Sequence, residues 1–182
     1  MNEATNWPEV FRYTIAFVFL FAVIAKIWTF EQFRNNLSES FSVPVKLANP
    51  LAYFLITSET ITVWFLLVPS SFQHLGMWLA LSMLVIFTLI LSIKFLTGEL
   101  VRCNCFGDDD RAFSGWDLIR NVLLIVMSAF YLTFVQDTSA SLILHLLFIA
   151  MSFLFSFLLI NLHEIVAAFQ YLNKRKRAWQ RH

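Results

Sequence analysis

Cys103 and Cys105 are the two cysteines of a 182-residue chain, held one residue apart in the run Cys103-Asn104-Cys105-Phe106-Gly107. A disulfide between residues this close forms a very small ring. Such a link is strained, and strained or exposed disulfides are oxidising and labile. The pair therefore suits thiol–disulfide exchange with a second molecule, a reaction carried by the thiolate form. Arg102 and Arg111 favour that form, while Asp108, Asp109 and Asp110 oppose it, so the sequence gives the local field no net sign. Two other readings stand beside exchange. The cysteines are structural and unpaired, although a Gly- and Asp-containing loop is an unusual place to bury them. Or they bind metal, although two thiolates do not fill a tetrahedral shell and only the aspartates or the distant His74 could complete it. The reading taken is redox chemistry, with no metal.

The rest of the chain must hold this pair, and its composition makes it a membrane protein. It is 59% hydrophobic and 14% charged, with 21 phenylalanines and a mean hydropathy of +0.69. Soluble domains carry about a quarter charged residues. Disorder is excluded by the same balance, and no basic stripe suggests nucleic acid. A helical span needs about 20 mostly apolar residues. Five stretches qualify: 13–30, broken by Lys26; 51–68, broken by Glu59; the uncharged 77–93; 118–135, with Arg120 near its start; and 142–162, containing His145. The expectation is a single all-α domain, a multi-pass transmembrane helical bundle of the whole chain 1–182. The first stretch reads as a span rather than a cleavable signal, since Glu3 and Glu9 precede it and no small-x-small site follows.

Loop charges set the expected orientation. Arg34, Lys46, Lys94, Arg102, Arg111 and the tail residues Lys174, Arg175, Lys176, Arg177 and Arg181 fall on one side, and Arg12 falls on the other. Ten against one places the cysteine loop and the basic tail, 171–182, in the cytoplasm. The tail is a topology anchor or lies on anionic lipid. Trp28 and Trp116 fall on one predicted interface and Trp64 and Trp78 on the other, as headgroup-seeking rings do.

Charges within spans are costly, so they pair or line a functional cavity. Glu59 lies near the middle of its span, and Lys26 about four residues from the end of its own, roughly 6 Å deep. Either they form an ion pair beneath the cysteine loop, open to proton transfer, or Lys26 snorkels to the interface. In the second case Glu59 is protonated or hydrogen-bonded to Thr57, Thr60 or Thr62. Arg120 pairs with Asp117, with the aspartate triplet, or with Glu59. Ser114 and Asp117 resemble a capping box. His145 and His163 lack partners at ligand spacing and read as structural.

The order of these features resembles the MauE (methylamine utilisation protein E) branch of the DoxX-like redox-associated membrane proteins. It comprises Ala25-Lys26-Ile27 closing a first span, Pro50 and Ser58-Glu59 in a second, an uncharged third, the Cys-x-Cys-Phe-Gly run, and Arg120-Asn121 opening a fourth. The resemblance covers roughly residues 12–135. It implies a four-helix core, here with a fifth C-terminal helix, in a bacterial cytoplasmic membrane. It also implies maturation of methylamine dehydrogenase, whose small subunit is rich in disulfides, beside a thioredoxin-like partner. Cys103 and Cys105 would be the redox pair, with Lys26, Glu59, Arg102 and Arg120 in support. That expectation is a thiol–disulfide oxidoreductase or relay. A non-catalytic assembly factor for the thioredoxin-like partner and a small transporter using Lys26 and Glu59 are the alternatives. No residue argues for a quinone or another cofactor. The charge tally and the implied periplasmic role conflict: either the pair exchanges with a cytoplasmic donor, or the last apolar stretch does not span.

Overall fold

The structure, a computed structural model, describes residues 7–41, 43–68, 72–97, 115–134, 142–162 and 165. These form six helices: α1 (Trp7–Trp28), α2 (Phe30–Phe41), α3 (Val45–Leu67), α4 (Gln73–Leu96), α5 (Gly115–Phe134) and α6 (Leu142–Ile160). All but α2 are long and apolar enough to cross a membrane. Lipid offers no partner for backbone N–H and C=O groups, and helices satisfy them internally. The chain is therefore an all-α multi-pass membrane protein.

Helices α1, α3, α4 and α5 close a ring in which each packs on the next and α5 returns to α1. Their inner faces meet in one apolar core that includes Ile15, Phe19, Leu66, Met77, Leu124 and Tyr131. Gly76 sets the α3–α4 approach: a Cβ there would lie 2.8 Å from Phe65 Cβ and 3.2 Å from the Leu66 nitrogen. The outer faces carry large exposed apolar residues, such as Phe54, Ile86, Val126 and Leu154, suited to lipid.

The last apolar stretch lies against the outer side of α1. Ser152 Oγ donates to the Val10 carbonyl at 2.9 Å, and Ser156 Oγ to the Thr14 carbonyl at 3.0 Å. Four residues forward on α6 match four residues forward on α1, so the two helices run parallel. Helix–helix association within lipid relies on such small and hydroxyl residues. A parallel first and fifth helix is the arrangement of five alternating spans. The other alternative left by the sequence, a last stretch that fails to run through the bundle, does not match this packing.

Between the first and second spans the sequence reading expected only a connection, and the structure has α2. Thr29 interrupts α1 and α2 for one residue while its own N–H still bonds to the Ala25 carbonyl and its carbonyl accepts from Phe33. Its hydroxyl donates to the same Ala25 carbonyl at 2.8 Å, a competition that loosens helices locally. Twelve residues make a marginal helix alone. Here Phe33 and Leu37 pack on Ala52 of α3, with Phe30, Leu51, Leu55 and Ile56 around them. Glu31, Gln32, Asn35 and Glu39 face outward.

Tryptophans mark both ends of the bundle. Trp28 ends α1 and Trp116 opens α5, while Trp7, Trp64 and Trp78 lie at the opposite end, all exposed.

Candidate functional site: a buried ion pair within the bundle

Lys26 and Glu59 meet. Nζ of Lys26 donates to Oε1 of Glu59 in an ion pair between α1 and α3, and the two residues are 2% and 5% exposed. Of the two sequence alternatives, the ion pair is the one observed. Lys26 does not snorkel, because the chain continues past it as α2 and Phe33 covers the ammonium. The Phe33 and Phe87 ring centroids lie 5.5 and 5.9 Å from Nζ, within reach of cation–π attraction. Of the three threonines offered by the sequence, Thr60 donates to the Ile56 carbonyl and Thr62 to the Ser58 carbonyl. Glu59 Oε2 is buried without a protein hydrogen-bond partner.

Arg120 lies one turn into α5, 3.5 Å from Asp117 on the same helix, and both are buried. Among the described residues Asp117 is an observed partner, and Lys26 answers Glu59; the aspartate triplet lies outside the described residues. Ser114, the other half of the expected capping box, lies outside the described residues. So do Cys103, Cys105, Arg102, the aspartate triplet, His163 and the tail 171–182. The cysteine run belongs to the segment joining the C-terminal end of α4 to the N-terminal end of α5. Lys26 and Arg120 lie toward that end of the ring, and Glu59 lies deeper, near mid-bundle.

A second polar group stands at the opposite end, and the sequence reading gave it only a loop charge. Arg12 is 2% exposed. Its guanidinium pairs with Glu9, one turn earlier on α1, with Nε to Oε2 at 2.8 Å. It also donates to the Leu66 carbonyl near the end of α3 and lies 4.2 Å from the Tyr13 ring centroid. It thus satisfies a carbonyl that the end of α3 leaves without a helical donor. The Glu9/Arg12 spacing of three is the sequence signal that would have found it. Thr88, also unremarked, is buried on the inward stripe of α4, and its position four residues after Leu84 was the available clue. His145 is half-buried on α6, its Nδ1 without a protein hydrogen-bond partner.

No curated protein and no solved structure matches the chain. Residues 5–134 match the family described as methylamine utilisation protein MauE. That stretch takes in the whole four-helix ring, the cysteine run and both partners of the buried ion pair, and the chain belongs to the MauE family.

Proposed function

We propose that this MauE-family protein is a membrane thiol–disulfide relay acting in the maturation of an exported protein of methylamine utilisation. The bacterial cytoplasmic membrane is its expected site. Cys103 and Cys105 form the working pair. In the forward step a donor dithiol on the cysteine side reduces their disulfide, so one disulfide forms in the donor and one breaks here, with two protons and two electrons transferred. A thioredoxin-like partner in its disulfide form then reoxidises Cys103 and Cys105. Arg102 would favour the attacking thiolate.

The observation that carries the reading is the buried Lys26–Glu59 pair, whose lysine lies toward the end that the cysteine segment joins. Intramembrane charge is retained where it serves function, and a purely passive anchor has no need of it. Arg34, Lys46 and Lys94 lie on described elements toward that same end. Their bias favours a cytoplasmic face for the cysteines, and the partner would then exchange from that side. A Cys103→Ser variant separates relay from scaffold. The relay loses all disulfide transfer while its membrane level stays unchanged. If transfer persists in Cys103→Ser, the pair is a structural clip and the relay is wrong.

A further inference from the structure

Buried charge lies toward both ends of the ring, with Arg12 at one and a larger polar group at the other. Lys26, Thr88, Asp117 and Arg120, each more than nine-tenths buried, lie toward the end where α4 stops and α5 begins, and the equally buried Glu59 lies near mid-bundle. Beyond them, toward the other end, the core is closed by apolar side chains including Ile15, Phe19, Leu66, Met77 and Met127. The buried hydroxyls on that side, Thr62 and Ser128, donate to carbonyls of their own helices, and apolar side chains separate Glu59 from Arg12.

Thr88 follows Phe87, the α4 residue whose ring lies against the Lys26 ammonium. Thr62 Oγ1 lies 3.8 Å from Met83 Sδ, which aligns α3 against antiparallel α4. One turn further toward the polar end, Glu59 on α3 and Phe87 on α4 flank the Lys26 ammonium. Thr88 is the next residue of α4 and shares the inward stripe Ala80, Leu84, Thr88, Leu91. On α3 and α4, two buried side-chain atoms lack a protein hydrogen-bond partner: Glu59 Oε2 and Thr88 Oγ1. Leaving a buried polar atom unpaired costs about 1–3 kcal/mol, more when it is charged. Two on facing helices are a cost that a purely structural ion pair would avoid.

We propose that Glu59 is a proton-exchange site whose ligand is water, entered from the end bearing Arg120 and Asp117 and sealed from the other. The two carboxylate oxygens divide the work. Oε1 is held by Lys26, and Oε2 takes the proton. A hydronium ion transfers H⁺ to Oε2, leaving water and a neutral carboxylic acid, and the reverse step returns it. Thr88 Oγ1 accepts a hydrogen bond from the arriving water and orients it. The groups facing this path are Lys26 from α1, Phe33 from α2, Phe87 and Thr88 from α4, and Asp117 and Arg120 from α5. The site extends the relay reading, since dithiol oxidation releases two protons at the same end. Its test uses no thiol chemistry, so either idea can fail alone.

The test reconstitutes the full chain in liposomes, with inner and outer pH set independently, and measures modification of Glu59 by dicyclohexylcarbodiimide, which attacks protonated carboxyls in lipid. Glu59→Gln identifies the modified peptide, and maleimide accessibility of Cys103 fixes which compartment faces the cysteine end. Lowering pH on the cysteine side should speed modification severalfold, while lowering it on the other side should not. Thr88→Val should abolish that pH response, and Thr88→Ser should keep it. A rate that follows the opposite compartment, or neither, overturns the proposal. So does an undiminished response in Thr88→Val.

Discussion

Lys26 and Glu59, 33 residues apart in the chain, form a buried ion pair that joins the end of α1 to α3 across the interior of the ring. Each ion loses several kcal/mol of hydration on burial, and mutual attraction offsets that loss only while both are present. Glu59→Gln should therefore destabilise the bundle by about 3–5 kcal/mol, because it strands a buried ammonium. The double variant Lys26→Met, Glu59→Gln should recover most of the loss. Denaturant unfolding in micelles measures both. Additive single and double effects would mean that the two groups do not interact.

Parallel packing of α6 on α1 makes a prediction about proximity. In a Cys103→Ser, Cys105→Ser background, Val10→Cys with Ser152→Cys should cross-link readily, because the Ser152 hydroxyl already reaches the Val10 carbonyl at 2.9 Å. Cysteines at Val10 and Leu159 should not. Replacing Ser156 by Ala should cost only about 0.6 kcal/mol, the usual worth of one interhelical hydrogen bond in lipid.

Gly76 should tolerate no side chain. A methyl group there meets Phe65 Cβ and the α3 backbone, so Gly76→Ala should cost about 1–3 kcal/mol through forced separation of the helices. Thermal unfolding of the purified protein measures it, with Ala80→Gly as a comparison at a site of ordinary packing.

The face of the cysteine segment follows from the same architecture. Arg34, Lys46 and Lys94 lie toward the end of the ring that this segment joins, and α6 ends there as well. An impermeant maleimide added to intact cells should leave Cys103 and Cys105 unlabelled, before and after reduction, while a permeant one labels them. Labelling by the impermeant reagent after reduction would place the pair outside and contradict the charge bias.

The five apolar helices were legible because lipid requires contiguous apolar sequence, and the composition leaves few other uses for 21 phenylalanines. Helix α2 was not. It carries Glu31, Arg34 and Glu39, and it is held by tertiary contact of Phe33 and Leu37 with Ala52. Missing α2 made Lys26 look only about four residues from water, when Phe33 in fact covers it. The ion pair itself could be read as one of two alternatives, since two opposite charges within spans at reachable depths have few other partners. Arg12 was hidden by its place near a span end, where a charge ordinarily meets water. Its role depends on the Leu66 carbonyl, 54 residues away, and no local pattern announces that. Thr88 looked like one more hydroxyl in an uncharged span, and only the packed bundle shows it buried with its hydroxyl unpartnered.

The most direct test of the relay is the redox state of Cys103 and Cys105 in the full-length protein, equilibrated in membranes with defined dithiol/disulfide buffers and trapped by a mass-tagged maleimide. The account expects a reversible two-thiol transition at a potential above about −300 mV, where exchangeable rather than structural disulfides fall. A Cys103→Ser or Cys105→Ser variant should show no such transition. A pair that stays reduced across the oxidising range, or stays locked as a disulfide below that potential, would contradict the relay.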